Sequence, residues 1–251
     1  MWPQSWFDIP IAVFDLETTG FDPQTCQIIE IGIVQFYRGE IMKVHNWLID
    51  PECQIPQEIV DITHIQQSDV DGQPKFREIV HDVLAAFKDH AICAHNISFD
   101  RVFLSHKLTE LGLSWPAGNP ILDTLIIASH LYPNQQNKLG ILAERLGITL
   151  EGAHRACNDA EATGKVLYAM REHLPPDLET LMLLQAQWER EFNEKRAFWK
   201  NKNSGGSSFS ALMNDQTPQN RGITAAFAYS TEPDPIRALY ATVPAAKPRD
   251  K

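Results

Sequence analysis

The stretch Ile11 to Gly20, which reads I-A-V-F-D-L-E-T-T-G, constrains the fold and chemistry of this chain more than any other. Its first four residues are apolar β-formers and predict a strand that is buried on both faces. Asp15 and Glu17 follow two residues apart, so a strand projects both carboxylates to the same side. Two neighbouring buried anions repel each other, and a bound divalent cation such as Mg²⁺ or Mn²⁺ would remove that cost. For this pair taken alone, an acidic strand end that faces water is the simpler interpretation.

Charge and composition limit the classes of function. The chain of 251 residues has a formal net charge of -10, which argues against a broad basic surface for nonspecific nucleic-acid binding. An enzyme that acts on nucleic acid is still compatible with this charge, because metal ions can supply positive charge at a phosphate. The charge is uneven: 15 basic and 28 acidic residues precede Lys200, and seven basic and four acidic residues follow from there on.

The cysteine pattern and the hydropathy favour a cytoplasmic protein. The four cysteines form no C-x-x-C pair, which predicts reduced thiols rather than a disulfide frame or a zinc site. No apolar run reaches the length of a transmembrane helix, so no membrane partner is expected.

The order of β-rich and helical segments predicts one α/β domain with a mixed sheet. Three β-rich segments come before any long helix and indicate an antiparallel meander. Two brief strands then alternate with helices, which favours a sheet covered on both faces. The predicted strands are Ile11–Phe14, Ile28–Tyr37, Ile41–Ile49, Ala91–Ala94 and Pro120–Leu122. The predicted helices are Gln57–Ile62, Lys75–Lys88, Ser98–Leu111, a segment that ends at His130, Lys138–Leu146 and Asn158–His173.

Composition divides the chain into three parts. Residues 1–175 are expected to form the folded body, and the pair Pro175-Pro176 marks its end. Residues 176–200 predict a charged helix, whose apolar positions either pack back on the body, which we favour, or bind a partner. Residues 201–251 are rich in Ser, Gly and Pro and predict a flexible tail.

Two later segments place more acids and a histidine beside predicted helix starts. Ser98 is expected to be an N-cap after a predicted strand, which puts Asp100 in the first helical turn. Asp159 lies in the first turn of a later helix, and His154 lies in the loop before it. Each residue has a simple explanation of its own, since the helix dipole favours an acid there and most loop histidines are surface residues. The order of the three segments along the chain is what points to one shared site.

These segments resemble the motifs of the DEDDh family of 3′–5′ exonucleases, and the chain looks most like the proofreading epsilon subunit of bacterial DNA polymerase III and its relatives. The similarity extends from about Ile11 to Arg171, and no catalytic position of the family is missing. The matching segments are F-D-L-E-T-T-G at Phe14–Gly20, A-H-N-I-S-F-D at Ala94–Asp100 and H-R-A-C-N-D-A at His154–Ala160, with support from L-D-T-L at Leu122–Leu125 and from Asn137–Ile148.

The resemblance implies a fold and a set of catalytic roles. The fold is ribonuclease-H-like, and its mixed five-stranded sheet agrees with the predicted strands. The family implies two divalent cations, Mg²⁺ or Mn²⁺, ~4 Å apart, which hold the attacking and leaving oxygens. Asp15 would bridge both cations, Glu17 and Asp159 would complete the ligands of the first, and Asp100 would serve the second. His154 would be the general base, because its reference pKa of ~6.5 lies near working pH.

The family resemblance also places residues in the substrate pocket. The backbone of Thr18 is expected near the 3′-hydroxyl of the terminal sugar. Asp123 could support the metal ligands, but a helix N-cap explains this acid equally well. The predicted substrate-binding residues are Leu16, Thr18, His95, Asn96 and Phe99.

The predicted function is the removal of nucleotides from the 3′ end of DNA, in replication, proofreading or repair. An exoribonuclease of the same superfamily is the alternative, because the metal chemistry does not depend on the 2′-hydroxyl. A binding module without catalysis is less favoured, since uncompensated clustered acids would only destabilise it. The expected partners are nucleic acid with a free 3′ end and, through the C-terminal segment, a DNA polymerase or another replication or repair protein. There, the basic tail could hold nucleic acid loosely, or the apolar stretch Ile236–Val243 could dock to a polymerase or clamp.

Overall fold

The computed structural model describes residues 2–150 and 152–204, with side chains up to residue 199. The predicted tail lies outside the described residues from position 205 onward, as does the stretch Ile236–Val243. Within the part of the chain that is described, no helix is both long and apolar enough to cross a membrane.

A five-stranded mixed sheet forms the centre of the fold, in the order β3-β2-β1-β4-β5. The first three strands pair antiparallel, and β1, β4 and β5 run parallel, which confirms the predicted mixed sheet. The prediction is also confirmed in detail at the second and fourth strands, whose bounds match the structure. The strands are β1 Ile11–Thr18, β2 Ile28–Tyr37, β3 Glu40–Leu48, β4 Ala91–Ala94 and β5 Ile121–Asp123.

Helices cover both faces of the sheet. One apolar cluster joins one face to the helices that follow β5, and a second joins the other face to α3 and α4. A smaller cluster holds α1 and α2 against the start of β2 through residues such as Ile29, Ile59 and Val70. The helices are α1 Gln57–Thr63, α2 Gln67–Val70, α3 Phe76–Phe87, α4 Ile97–Glu110, α5 Thr124–Leu131, α6 Leu139–Arg145, α7 Ala156–Ala169 and α8 Leu178–Ser204, with short 3-10 turns at Trp6–Asp8 and Arg171–His173.

The alternation of side chains along β1 decides which layer the acids face. Val13 packs in the cluster on the α7 side, and Phe14 packs in the cluster on the α3 and α4 side. Because successive strand residues point to opposite faces, Asp15 and Glu17 emerge on the α7 side. The helix that carries Asp159 therefore lies on the face of β1 that presents these two acids.

Two glycines allow α7 to lie directly on β2. A Cβ added at Gly32 would stand 2.3 Å from the carbonyl carbon of Ala156, so the start of α7 touches the strand backbone. A Cβ added at Gly164 would stand 2.2 Å from the ring of Phe36. Larger residues would separate the helix from the strand at both ends of this contact, so the glycines set the position of α7 and of the residues it carries.

The last helix packs on the body, as the favoured interpretation of its apolar stripe predicted. Leu178, Leu181 and Trp188 are buried, and the Trp188 ring stacks on His130 with centroids 4.1 Å apart. The side chain of Gln185 bonds the backbone of β5, the last strand of the sheet. Its Oε1 accepts from Asp123 N at 2.8 Å, and its Nε2 donates to Ile121 O at 3.2 Å. The helix also continues to Ser204, past the boundary predicted at residue 200.

Candidate active site

Asp15 and Glu17 lie near the end of β1, opposite Gly32 and Glu30 of β2. Burial raises the pKa of Asp15 well above its ordinary value, and repulsion by Asp100 and then Asp159 raises it further. The pKa of Glu17 is raised in the same way, first by burial and then by Asp159. Neighbouring carboxylates with raised pKa values show that the fold holds several acids together without enough positive charge to balance them.

Asp100 reaches this cluster from α4, on the other side of β1. Its Oδ1 accepts a hydrogen bond from the backbone N–H of Leu16 at 3.2 Å, so it lies against the strand that carries Asp15. The side chain is only 4% exposed, and burial raises its pKa well above the ordinary value. The structure therefore brings Asp100 beside the acids of β1, as the sequence motif predicted.

The start of α4 differs from the prediction that Ser98 would be its N-cap. The helix begins at Ile97 after Asn96, which adopts a left-handed conformation with φ of 70°. The free backbone N–H groups of Asn96 and Ile97 donate instead to the carboxylate of Asp123 at 3.0 and 3.1 Å. The cap comes from a residue far along the chain, which local sequence patterns do not reveal.

Asp123 joins two helices that surround the site. It is the N-cap of α5, where its Oδ1 accepts from Leu125 N at 2.9 Å, and it also caps α4. Burial raises its pKa to about 6, and the bonds from backbone N–H groups oppose that rise. Of the two explanations that the sequence left open for Asp123, the structure shows the N-cap, and the same side chain also bonds the segment that carries Asp100.

His154 and Asp159 come together where α7 begins. His154 has φ of 65°, which turns the chain sharply, and its backbone N–H donates to Asp159 Oδ2 at 3.2 Å. The other oxygen, Asp159 Oδ1, is buried and has no hydrogen-bond partner among the described residues. Burial raises the pKa of Asp159 to about 6, while burial and the nearby His64 lower the pKa of His154.

One atom each from Glu17, His154 and Asp159 lies within 4.8 Å of the others, a spacing that could hold a metal ion. A bound cation would give the buried Oδ1 of Asp159 a partner. It would also stabilise the ionised forms of Glu17 and Asp159, whose pKa values are raised in its absence. Asp15 adjoins this group, and after burial the largest causes of its raised pKa are repulsion by Asp100, Asp159 and Glu17. The residues present therefore fit divalent cations, which prefer oxygen ligands of this kind.

The residues predicted to bind substrate lie on β1 and around the start of α4, and several have internal contacts. Leu16 and Thr18 are buried, and Thr18 Oγ1 donates to Gly20 O at 2.6 Å. Phe99 is half-buried, and the centroids of the Phe99 and Phe103 rings are 5.8 Å apart.

His95 is held inside the protein by both ring nitrogens. Its Nε2 lies 2.9 Å from Asn137 O, and its Nδ1 lies 2.9 Å from Thr124 Oγ1. A carbonyl oxygen only accepts, so Nε2 carries the proton and Nδ1 accepts from the hydroxyl. Burial lowers the pKa of His95 to about 4, which keeps the ring neutral and suits it to shaping the pocket rather than transferring protons.

Sequence patterns missed two charged residues at this site, Glu30 and Arg155. Glu30 is fully buried, and its Oε1 accepts from Arg155 Nη2 at 2.7 Å. A signal for Glu30 was present, because it is an acid within the apolar run of β2, where a charge is costly unless it is paired. Arg155 directly follows His154 in the third motif, which gave no separate reason to single it out.

Comparisons with known proteins identify relatives of this chain. A family model described as an exonuclease, RNase T, matches residues 12–167. The PolC-type DNA polymerase III of Clostridium perfringens is 40% identical over 162 residues, which cover 64% of this chain but 11% of that protein. The DNA polymerase III subunit epsilon of Treponema pallidum is 34% identical over 168 residues, which cover 66% of this chain and 78% of the subunit.

Solved structures share the same fold at low identity. Exonuclease X in complex with 5′ overhanging duplex DNA has 20% identity and a TM-score of 0.56, and the match covers 70% of this chain and 99% of that one. A full-length 3′-exonuclease has 22% identity and a TM-score of 0.60, over 69% of this chain and 63% of that one. The chain is thus an exonuclease-type hydrolase that belongs to the RNase T exonuclease family, the DEDDh-type 3′–5′ exonucleases, and it resembles the proofreading epsilon subunit of bacterial DNA polymerase III.

Proposed function

We propose that this protein hydrolyses DNA from the 3′ end and releases nucleoside 5′-monophosphates, with two divalent cations, Mg²⁺ or Mn²⁺. The observation that carries the proposal is the group of Glu17, His154 and Asp159, with atoms within 4.8 Å of one another and with Asp15 and Asp100 beside it. Asp15, Glu17, Asp100 and Asp159 are the proposed metal ligands. Bound cations would stabilise charge at the phosphate and lower the pKa of an attacking water.

His154 is proposed to take the proton from the attacking water. Its lowered pKa keeps the ring neutral near pH 7, and a neutral ring nitrogen can accept a proton. Its backbone is tied to Asp159, which holds the imidazole beside the acids. The same ring could instead be a metal ligand, because it belongs to the group that can hold an ion, and mutagenesis separates the two roles.

The pocket is proposed to bind the terminal nucleotide at its 3′ end. The Thr18 backbone would contact the 3′-hydroxyl, Leu16 would lie beside it on β1, and Phe99 would shape the pocket. His95 and Asn96 would keep the pocket in shape, since His95 is bonded on both sides and Asn96 begins the turn into α4.

DNA is the favoured substrate because relatives at 34% and 40% identity are DNA polymerase III proteins. RNA is the second candidate, since one structural neighbour is a 3′-exonuclease in 3′-end specific recognition of a histone mRNA stem-loop, with 21% identity and a TM-score of 0.58. The likeness to an epsilon subunit also supports a polymerase partner in replication, proofreading or repair. A cytoplasmic location stays a prediction from the cysteine pattern.

The test compares 5′-labelled single-stranded DNA, RNA of matched sequence and a primer duplex with a mismatched 3′ end. We expect shortening from the 3′ end with Mg²⁺ or Mn²⁺ and none with EDTA, and we expect DNA to be shortened faster than RNA. Faster degradation of RNA would reverse the substrate assignment. Binding of DNA without any shortening would indicate a module that has kept the fold but not the chemistry.

A further inference from the structure

Glu30 is a buried acid on the strand next to the proposed metal ligands. It lies on β2 directly opposite Glu17 of β1, and its side chain is 0% exposed. An ionised carboxylate at such a position is costly unless hydrogen bonds and an opposite charge compensate it. Glu30 has no part in the proposed catalytic roles. The reason for an acid at this position must therefore lie in its contacts.

The carboxylate of Glu30 accepts hydrogen bonds from three different residues. Arg155 donates from Nη2 to Oε1 at 2.7 Å and from Nε to Oε2 at 3.1 Å, which is a forked contact. The backbone N–H of Ala156 donates to Oε2 at 3.0 Å, and Asn46 Nδ2 donates to Oε1 at 3.0 Å. Both oxygens are thus engaged by N–H groups, which leaves Glu30 poorly suited to be another metal ligand.

His154, Arg155 and Ala156 are consecutive residues where α7 begins, and Glu30 bonds the last two of them. His154 has φ of 65°, a conformation that a non-glycine residue adopts at a cost and that its surroundings must maintain. Ala156 begins α7, where the helix backbone touches Gly32 of the same strand. Glu30 and Gly32 therefore fix the turn from one face of β2, the first through hydrogen bonds and the second through close contact.

The ion pair with Glu30 also decides where the Arg155 guanidinium lies. The side chain of Arg155 is 41% exposed, so its position depends on the contact with Glu30 rather than on burial. Without Glu30, the arginine would lose its forked partner, and the turn before it would lose an anchor.

We propose that Glu30 and Arg155 are a positioning pair that holds the His154 imidazole and the start of α7 against the acids of β1. The inference rests on the proposed function, in which His154 acts on the attacking water. Neither Glu30 nor Arg155 touches the reacting atoms in this account. Their effect on catalysis passes through His154, which gives the proposal a specific experimental signature.

A double-mutant cycle between Arg155→Gln and His154→Ala measures that signature. Arg155→Gln alone should lower kcat by about 10- to 100-fold with little change in KM, as expected when a supporting contact is lost. In the His154→Ala background, Arg155→Gln should lower kcat at most a few-fold, because the imidazole that Arg155 positions is already absent. Arg155→Lys should restore only part of the rate, since an ammonium lacks the forked geometry.

Arg38→Gln is the matched control, because Arg38 also pairs with an acid, Asp8, at 2.7 Å, but at an exposed position. It should leave kcat unchanged in both backgrounds. If the fold-loss of kcat in the double variant equals the product of the two single losses, Arg155 does not act through His154. The pair then only stabilises the fold, and the proposal is wrong. If Glu30→Gln chiefly raises the Mg²⁺ concentration for half-maximal activity, Glu30 is a metal ligand, which also overturns it.

A second readout needs neither metal nor activity. The histidine side-chain resonances of the metal-free protein can be followed by NMR, and His154→Ala identifies the His154 signal. We expect Glu30→Gln and Arg155→Gln to shift or broaden that signal and Arg38→Gln to leave it in place. An unchanged His154 signal in both variants contradicts the positioning role. An inactive wild type with a shifted signal would refute the proposed function and leave this inference supported.

Discussion

At the scale of single residues, the site is a set of acids that the fold keeps close at an energetic cost. Asp15, Glu17 and Asp100 all have pKa values raised well above their ordinary range, with burial as the first cause. Asp159 joins them with a pKa of about 6 and an unpaired buried oxygen. Ionised carboxylates that repel one another in the metal-free protein are stabilised by a bound cation. Clusters of this kind are expected at a functional site.

Asp159→Asn should stabilise the metal-free protein. The native pKa of Asp159 is about 6 against an ordinary value of 3.8, so the folded protein holds that proton more tightly than the unfolded chain does. The resulting stability is fully present below about pH 4 and is lost as the pH rises through about 6. In EDTA at pH 7, the variant should melt higher by roughly 2–4 °C, the shift that about 1 kcal/mol produces in a chain of this size.

The melting series should be run from pH 4 to pH 7, with Asp82→Asn as control because Asp82 is an exposed acid of α3. The difference between Asp159→Asn and wild type should grow with pH, and the control should follow wild type. A variant that melts below wild type at pH 7 without metal would show that the ionised carboxylate stabilises the fold.

His154→Ala tests the role of the general base. A positioned base contributes about 10²–10⁴-fold to rate, so kcat at pH 7 should fall by about that factor. The loss should shrink as the pH rises and hydroxide replaces the base. The measurement is kcat against pH, together with the Mg²⁺ concentration for half-maximal activity. If the variant no longer binds metal, His154 is a ligand instead.

At the scale of elements, the site depends on how α4, α7 and α8 meet the sheet. The start of α4 is held by Asp123 of the β5–α5 junction, and Gln185 of α8 bonds the backbone of that same residue. A helix after the family motifs is thus connected through Asp123 to the segment that carries Asp100. The start of α7 is held by Glu30 and Gly32 in the same manner.

Gln185→Leu should show that α8 supports the body. The change removes the partner of Asp123 N in a buried position, and an unsatisfied buried group costs about 1–3 kcal/mol. The melting temperature should therefore fall by several degrees. Gln187→Leu is the matched control, because Gln187 lies on the same helix but is exposed, and its side chain donates to Glu191. Equal effects of the two changes would contradict the structural role of Gln185.

These connections also show what sequence patterns could and could not predict. Apolar runs predicted β2 and β4 with the bounds that the structure has, because burial on both faces leaves a continuous signal. The cap of α4 was assigned to Ser98 because local rules see only nearby residues, whereas the carboxylate that caps it comes from Asp123. The pairing of Glu30 with Arg155 joins positions 125 residues apart, which no local spacing reveals.

At the scale of the whole molecule, the described helix α8 extends the body past the region that matches the exonuclease family. The family match ends at residue 167, while α8 begins at Leu178 and runs to Ser204. Its first half is packed on the body through Leu181 and Trp188. We propose that residues 1–175 contain the chemistry, that α8 supports them, and that the segment after it serves partners.

Removal of residues 200–251 should leave kcat on a short oligonucleotide unchanged, because every proposed site residue lies before them. That segment carries seven basic and four acidic residues, so binding at low salt is expected to weaken. The assay compares kcat and KM at low and moderate salt. A large fall in kcat with an intact melting curve would place part of the active site in the removed segment.

One digestion experiment tests directly whether the clustered acids of β1, α4 and α7 form a metal-dependent site that cleaves DNA from the 3′ end. A 5′-labelled single-stranded oligonucleotide is digested with Mg²⁺ by wild type, Asp15→Asn and the exposed control Asp82→Asn. We predict a ladder of products shortened from the 3′ end for wild type and control, with EDTA abolishing it and Asp15→Asn lowering kcat by several orders of magnitude. Near-wild-type cleavage by Asp15→Asn, or a ladder that persists in EDTA, would contradict the claim.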